Sequence, residues 1–375
     1  MSETREKKKL NDFLIKSMEK YYKKHHNRHD KKHHKKNDKK HHKKHLKKII
    51  ISPCSKGPIG PIGPTGPTGP VFIPPSPAIN SALKGIYIGY NNLLDLGTFD
   101  VTVMTVINYG YNLIILPFWI DNTIGVDPFS GAYYWSLLSQ TVQKNVRAYA
   151  NSVGAKIILS LGGSTFNRDG NGYTVGGGTA YGTNGANFAK ANNFDGVDFD
   201  FENLQITSLT QTQLIQFMTD ATNAAKTILG SNSLITHAPQ SPYFNIEFNN
   251  IYLNFYKQTP TPPINYFLIQ YYNQGATYLD YETQFINDDI FHPNTAIAQL
   301  ISRGIPKNII VLGKLTQMKD GAADSWVPPA TIHQWIVQSA NDPATFNWNT
   351  GVSTWQFNLT GIPTSQQWIS TIYPN

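Results

Sequence analysis

The segment from Asp195 to Glu202 carries acidic residues at a spacing that suits acid–base chemistry. It reads DGVDFDFE, so that Asp198, Asp200 and Glu202 alternate with three apolar residues. In a β-strand, successive side chains point to opposite faces, so the three carboxylates share one face and the apolar side chains share the other. Repulsion between neighbouring carboxylates raises the pKa of at least one of them, which then holds a proton. We expect Glu202, at the strand end, to be the proton donor.

Two other interpretations of this acidic face are open. It could be the solvent-exposed face of a strand, or it could bind Ca²⁺ or Mg²⁺, for which carboxylates are the usual ligands. The first is disfavoured because the strand is central in the repeating pattern described next.

Apolar, β-branched runs alternate with amphipathic, helix-like segments along residues 82–375. This alternation predicts a parallel sheet with crossover helices. Eight such units in fewer than 300 residues favour an α/β fold of the (β/α)8 TIM-barrel class. An open Rossmann-like sheet would need a glycine-rich phosphate turn after its first strand, and YNNLLDLG stands there instead. The predicted strands are 85–90, 111–118, 155–161, 194–201, 233–238, 265–272, 308–313 and 352–357, and the main predicted helices are 133–154, 208–230, 293–305 and 328–340.

A barrel would direct the acidic face of its fourth strand towards the interior and the C-terminal mouth, where barrel enzymes build their active sites. The Gly/Asn/Thr/Tyr-rich segment 167–188 leads from the third strand to the fourth on that side. We expect it to form a mobile rim of the mouth, with an aromatic platform for a long polymer or a merely permissive loop as the alternatives.

The net charge of +8 is distributed unevenly along the 375 residues. Residues 1–50 hold 19 Lys/Arg against 6 Asp/Glu, a net of +13, whereas residues 51–375 hold 13 against 18, a net of −5. A mildly acidic folded part argues against a nucleic-acid-binding surface over the whole protein. Any contact with a polyanion or an anionic surface should therefore involve residues 1–50.

Two N-terminal zones precede the predicted barrel. Residues 1–50 contain 8 of the 11 histidines, and this Lys/His-rich composition predicts a disordered basic tail. The tail could be merely solvated, attract a polyanion, or bind Zn or Ni through its histidine pairs. Residues 51–81 form a predicted linker in which glycine recurs every third position from 57 to 69. Residues 57–71 are thus either a short collagen-like segment that forms a homotrimer or a stiff polyproline-type spacer.

Cysteine content and hydropathy exclude other classes. A single cysteine, Cys54, excludes an intramolecular disulfide framework and a thiolate zinc site. We expect no membrane span, because every apolar run is far shorter than about 20 residues, and no secretory signal at the N-terminus. The location stays open between a virus-particle or spore surface and an extracellular site reached by a non-standard route.

The acidic segment resembles the signature of glycoside hydrolase family 18, the chitinase family, whose fourth barrel strand carries DxxDxDxE. Asp195, Asp198, Asp200 and Glu202 complete that pattern. SLGG at 160–163 is similar to the family's SxGG motif, and QYYN at 270–273 and Trp355 match its sixth and eighth strands. APQSP at 238–242 is similar to a loop of the hevamine-like class III chitinases, although Ser241 stands where those often have cysteine.

The resemblance implies a retaining glycosidase in which the substrate's own 2-acetamido group is the nucleophile. It makes Glu202 the general acid and then the base, and Asp200 the group that orients the acetamido N–H. It makes Asp198 a proton-sharing partner of Asp200, and Tyr272 the hydrogen-bond donor to the acetamido oxygen. Trp355 would form the floor beneath the sugar next to the cleaved bond.

Other residues are expected at the groove because they lie at predicted strand ends, or in its support. We expect Ser160, Gly162 and Gly163 to shape a strand end. The substrate would be chitin or another N-acetylglucosamine polymer, and neither a metal nor an organic cofactor is expected. A lectin-like barrel without catalysis, or an endo-N-acetylglucosaminidase acting on peptidoglycan or N-glycans, is the alternative. The expected groove residues are Tyr90, Phe118, Gln240, Gln270 and Asn273.

Overall fold

The structure is a computed structural model that describes residues 81–89, 96–288 and 290–374. The predicted basic tail at 1–50, the collagen-like segment at 57–71 and the candidate groove residue Tyr90 lie outside the described residues.

Eight parallel strands close into a barrel, which confirms the predicted α/β fold of the TIM-barrel class. The first strand pairs with both the second and the last, so the ring has no open edge. One strand was not expected: β3 is a two-residue segment that pairs antiparallel with the end of β2. The strands are β1 (Leu83–Tyr87), β2 (Leu113–Asp121), β3 (Gly125–Val126), β4 (Lys156–Gly162), β5 (Gly196–Asp200), β6 (Leu234–His237), β7 (Tyr266–Gln270), β8 (Ile310–Leu315) and β9 (Gly351–Trp355).

Alternation along each strand separates two apolar regions. Val197 and Phe199 of β5 face the surrounding helices and belong to the larger core, as does Phe201 just beyond the strand. A smaller cluster, which includes Leu113 and Val311, fills the barrel interior. The carboxylates of β5 lie on the interior face, above this apolar layer, as the period of two predicts.

Helices surround the barrel, and several carry the capping residues that sequence analysis looks for. The helix that follows β5 begins with a capping box of Thr210 and Gln213 and ends at Gly230, whose φ is 87°. The α-helices are α1 (Phe99–Asn108), α2 (Gly131–Ser136), α3 (Gln140–Ser152), α4 (Gly178–Ala191), α5 (Gln211–Leu229), α6 (Ile251–Tyr256), α7 (Ile297–Ser302), α8 (Pro329–Asn341) and α9 (Ser365–Ile372). Short 3₁₀ turns span Leu96–Thr98, Ser241–Phe244, Ile246–Phe248, Lys307–Ile309, Met318–Asp320, Ala323–Ser325 and Pro343–Thr345, and a π-turn spans Glu282–Ile286.

The single helix predicted over 133–154 is two helices, α2 and α3. Ser139 interrupts the run because its hydroxyl accepts a hydrogen bond from the amide of Val142, which starts a new helix there.

The glycine-rich segment 167–188 is not a single loop. Its second half lies in α4, which packs on α5. A Cβ atom at Gly178 would lie 2.2 Å from the carbonyl oxygen of Phe217, and one at Gly182 would lie 2.0 Å from that of Ala221. These glycines therefore allow the two helix backbones to approach closely, a reason for glycine that composition alone did not reveal.

Among the residues that the structure describes, no helix is both long and apolar enough to cross a membrane.

Candidate active site

Asp198 lies fully buried inside the barrel and accepts hydrogen bonds from three hydroxyl groups. Tyr87 and Ser160 donate to its Oδ2 over 3.0 and 2.7 Å, and Thr236 donates to its Oδ1 over 2.6 Å. Burial raises the pKa of Asp198, and the three hydroxyl donors oppose that rise because they stabilise the carboxylate form. The residue is thus held in one orientation by β1, β4 and β6 together.

Asp200 lies one layer closer to the mouth. The side-chain amide of Gln270 donates to its Oδ1 over 2.9 Å and also to the carbonyl of Ala238. Burial raises the pKa of Asp200 strongly, and the negative charges of Glu202 and Asp198 raise it further. A carboxyl group in this position retains its proton to a higher pH than an exposed aspartate.

Glu202 follows β5 at the mouth, where its side chain is half-buried. Burial raises the pKa of Glu202, with the amide of Gln270 acting in the opposite direction. Tyr173 fixes the local backbone by donating its hydroxyl to the carbonyl of Glu202 over 2.8 Å. A raised pKa at a strand end that faces solvent suits a group that delivers a proton.

Tyr272 and Trp355 line the same mouth. Tyr272 is buried, and its pKa is raised by burial and then by the charges of Asp200, Glu202 and Asp198, so that the phenol stays protonated. Trp355, at the end of β9, is half-buried, and its ring centroid lies 5.6 Å from that of Tyr87. The indole therefore forms a flat wall beside the acidic column.

Gly162 and Gly163 connect β4 to the mouth in the left-handed region, with φ of 104° and 75°. A Cβ at Gly162 would lie 2.5 Å from the carbonyl oxygen of Asp200, and one at Gly163 would lie 2.8 Å from the ring of Phe118. Phe118 in turn stacks on Trp355, with centroids 6.0 Å apart. The glycines thus leave room for the backbone of the acidic strand and for the aromatic wall.

Asp195 belongs to the acidic pattern but lies at the opposite end of β5. Its Oδ1 pairs with Arg147 of α3 at 2.7 Å, and its Oδ2 accepts a hydrogen bond from the amide of Ile157 at 2.9 Å. It ties α3 and β4 to the start of β5, away from the mouth.

Two predicted groove residues occupy supporting positions. Asn273 is exposed, and its side-chain oxygen accepts a hydrogen bond from the backbone amide of Ala322. The backbone amide of Asn273 donates to the hydroxyl of Ser325. It therefore holds the loop after β8. Gln240 forms a parallel bridge with Gln270 just beyond β6 and is half-buried.

Sequence reasoning missed three residues at this site: Tyr87, Thr236 and Tyr243. Thr236 pairs in register with Asp198, and only the register of the folded strands reveals this neighbour. Tyr243 is buried in the turn after β6, and its pKa is raised by burial and then by the charge of Glu202. Nothing in the spacing of the sequence indicates its position.

Metal coordination was a further interpretation of the acidic face. Over 81–89, 96–288 and 290–374, no group of three or more His, Cys, Asp or Glu side chains is arranged to hold a metal ion. Both carboxylate oxygens of Asp198 already accept hydrogen bonds from hydroxyl groups.

Comparison with known proteins identifies the family and agrees with the fold. Residues 86–366 match the family Glycosyl hydrolases family 18. A GH18 chitinase from Pseudoalteromonas aurantia is similar in structure, with a TM-score of 0.57 at 18% identity over 78% of this chain and 99% of that one. A family GH18 chitinase from Chromobacterium violaceum gives a TM-score of 0.52 at 16% identity over 78% and 80%. A search of curated proteins finds no match. The family match spans most of the chain, which therefore belongs to glycosyl hydrolase family 18 and is a glycosidase.

Proposed function

We propose that this glycosidase is a chitinase that hydrolyses β-1,4-linked N-acetylglucosamine polymers with retention of configuration. The observation that carries the proposal is the column of carboxyl groups in the barrel, buried Asp198 and Asp200 below Glu202 at the mouth. Tyr272 and Trp355 stand beside that column, where a sugar could contact both. The APQSP segment at 238–242 further supports a relation to the hevamine-like class III chitinases.

In the first step, the oxygen of the substrate's 2-acetamido group attacks the anomeric carbon as the glycosidic bond breaks. Glu202 protonates the departing oxygen, for which its raised pKa is suited. Asp200 accepts the acetamido N–H and balances the positive oxazolinium ring, and Tyr272 donates its hydroxyl to the acetamido oxygen. Asp198 shares a proton with Asp200, whose strongly raised pKa keeps that proton within the pair.

In the second step, Glu202 acts as a base. It takes a proton from a water molecule that attacks the anomeric carbon from the side that the leaving group vacated. The bond between that carbon and the acetamido oxygen breaks, and the acetamide is restored. Two inversions give net retention, and no co-reactant other than water is consumed.

The test uses the full chain and its Glu202→Gln variant on chitin oligosaccharides of four to six units. We expect the parent to release product whose first-formed anomer is β by NMR, and Glu202→Gln to lose at least about 10²-fold in kcat. Glu282→Gln, which changes an exposed glutamate on the π-turn, serves as the control. Oligomers of glucosamine without acetyl groups should resist cleavage, because they lack the nucleophile.

Other outcomes would redirect the proposal. Binding of the oligomers without cleavage would refute chitinase activity and favour a lectin-like role. If the chain neither binds nor cleaves the chitin oligomers, peptidoglycan or N-glycans would be favoured as substrate.

The N-terminal zones extend the proposal to location and partners. The net charge of +13 on residues 1–50 supports attraction to a polyanion or an anionic surface. The glycine period at 57–71 supports a homotrimeric stem that would carry the barrel. Sedimentation of the full chain and of a chain lacking 57–71 tests the stem: a trimer that becomes a monomer supports it, and an unchanged monomer refutes it.

A further inference from the structure

Glu202 lies beyond the end of the sheet, so contacts outside the sheet fix its position. Strand β5 ends at Asp200, whose pairing with Gly162 is the last that β5 makes with β4. On the other side, the pairing with β6 ends at Phe199. Glu202 therefore follows the last paired residue by two positions and directly precedes a turn over residues 203–206.

The turn after Glu202 has a backbone conformation that depends on its surroundings. Asn203 has a φ of 56°, in the left-handed region, which asparagine tolerates better than most residues. The amide of Ile206 donates to the carbonyl of Asn203 over 2.9 Å and closes the turn. Because such conformations persist only where neighbouring groups stabilise them, the direction of Glu202 depends on what contacts this turn.

Asn167, in the loop between β4 and α4, makes the most extensive of these contacts. Its side chain is fully buried. The Nδ2 group donates to the carbonyl oxygens of Asn203 over 3.1 Å and of Ile206 over 2.6 Å, and Oδ1 accepts from the backbone amide of Gly172 over 2.8 Å. Both amide hydrogens and the oxygen are engaged, which fixes the side chain in one orientation. One side chain thus connects the loop after β4 to the turn after Glu202.

Two further hydrogen bonds join the same two segments. The hydroxyl of Tyr173 donates to the carbonyl of Glu202 over 2.8 Å, and the side-chain amide of Asn203 donates to the carbonyl of Ser164 over 3.2 Å. The ring of Tyr173 is held in turn by that of Phe166, with centroids 5.2 Å apart. The loop after β4 is therefore bonded to the backbone of Glu202 itself as well as to the turn that follows it.

We propose that Asn167 is a positioning residue for proton transfer, with Tyr173 in the same role. Together they hold the chain after β5 in the geometry that directs the Glu202 carboxyl group at the glycosidic oxygen. Both side chains are buried, so they act through the turn and not by touching the substrate. The inference rests on the proposed function, in which Glu202 is the general acid.

A positioning role and a merely structural role differ in how the loss depends on the leaving group. A sugar hydroxyl is a weak acid and needs a proton to depart, whereas dinitrophenolate departs readily without one. A displaced Glu202 therefore slows cleavage between two sugars and spares a dinitrophenyl glycoside. A general loosening of the fold would slow both substrates alike.

Asn167→Ala and Tyr173→Phe in the full chain test the inference. The first removes three hydrogen bonds, and the second removes one hydroxyl but keeps the aromatic ring. The readouts are kcat/KM for an N-acetylglucosamine hexamer and for the dinitrophenyl glycoside of the dimer, because kcat/KM reports the step in which the leaving group departs. We expect Asn167→Ala to lower the hexamer value at least about tenfold and Tyr173→Phe about threefold, with the dinitrophenyl value within about twofold of the parent.

Each variant has a matched control. Tyr181→Phe alters another buried tyrosine that contacts Phe166, and within the described part of the chain its hydroxyl has no hydrogen-bond partner. This control should leave both values unchanged. Asn265→Ala removes a buried asparagine whose Oδ1 accepts from the amide of Ile235 over 2.8 Å, at the start of β7 and away from the mouth. It should lower the melting temperature without changing the ratio of the two values.

Two results would overturn the inference: hexamer cleavage at the parent's rate in both variants, or a fall by the same factor on both substrates. If thermal melting shows that Asn167→Ala does not fold, Tyr173→Phe decides the question alone. Glu202→Gln separates these results from failure of the proposed function, because it should slow the hexamer far more than the dinitrophenyl glycoside. Without that selectivity, Glu202 is not the acid and the proposed function fails. With it, a lack of selectivity in the two variants refutes only the positioning role.

Discussion

Replacement of Thr236 by valine removes one hydrogen bond from the buried Asp198 carboxylate and little else. Thr236 is fully buried, and valine has nearly the same shape. The lost bond, 2.6 Å from Oγ1 to Oδ1, is one that a carboxylate accepts, and such bonds contribute about 1.5–3 kcal/mol to stability. We therefore expect Thr236→Val to lower the free energy of unfolding by about 2 kcal/mol near pH 8.

The loss should depend on pH, and its sign follows from the charge of Asp198. A hydroxyl donor stabilises the ionised form, so its removal raises the pKa of Asp198 above its already raised value. The variant thus binds more protons in the folded state at intermediate pH, and its deficit grows as pH rises. Below the folded-state pKa, Asp198 is protonated in parent and variant alike, and the deficit should fall to about 1 kcal/mol, typical of a neutral hydrogen bond.

Urea unfolding of parent and variant between pH 4 and pH 8 measures this difference. Thr316→Val provides the matched control, because Thr316 shares a buried hydrogen bond of 2.7 Å with the neutral hydroxyl of Thr354. Its cost should be about 1 kcal/mol at every pH. The reasoning is refuted if the Thr236→Val deficit is as independent of pH as that of the control, since Thr236 would then not support an ionised Asp198.

Three further predictions concern the mouth and the core. Gly163→Ala should lower kcat/KM at least about tenfold, because the new Cβ displaces Phe118 and with it the Trp355 wall. Gly275→Ala is the control, because Gly275 also has a positive φ but has open space around it, so this variant measures the cost of the backbone conformation alone. His237 is fully buried, and burial lowers its pKa to about 3. We expect the free energy of unfolding to fall by about 2 kcal/mol as pH falls from about 6.5 to 4.5, because only the unfolded chain takes up a proton at His237 in this range. His237→Phe should flatten that part of the stability profile, and an unchanged slope would contradict the assignment. Tyr272→Phe should lower kcat on chitin oligomers while leaving the melting temperature nearly unchanged; full activity would remove Tyr272 from the mechanism.

The barrel and its acidic strand were predictable because both depend on local periodicity. Runs of consecutive apolar, β-branched residues indicated strands that are buried on both faces, as in a parallel sheet. The period of two along the acidic strand separated its carboxylates from Val197 and Phe199. The predicted ends of helices and strands were less accurate, because a continuous amphipathic pattern can cover two helices, as it does on either side of Ser139. Close approach of α4 to α5 depends on the partner helix, which no local pattern reveals.

The partners of Asp198 illustrate what sequence reasoning could not supply. Ser160 and Thr236 lie beside Asp198 only through the register of three strands, and Tyr87 reaches it from β1. Their separations along the chain, up to 111 residues for Tyr87, leave no trace in spacing. Asn273, which is predicted for the groove, also has its side-chain oxygen engaged by the backbone of a neighbouring loop, a contact that its position in the sequence does not reveal.

The two ends of β5 place residues of one short motif in different surroundings. Asp195 ties Arg147 and Ile157 to the start of the strand, whereas the side chain of Glu202, seven residues later, is half-buried at the mouth. Under the proposed mechanism, a single substitution at Glu202 would abolish turnover while the scaffold and its aromatic wall persist. If the proposed function holds, such a change would convert an enzyme that degrades a polysaccharide into one that only binds it, without loss of the fold.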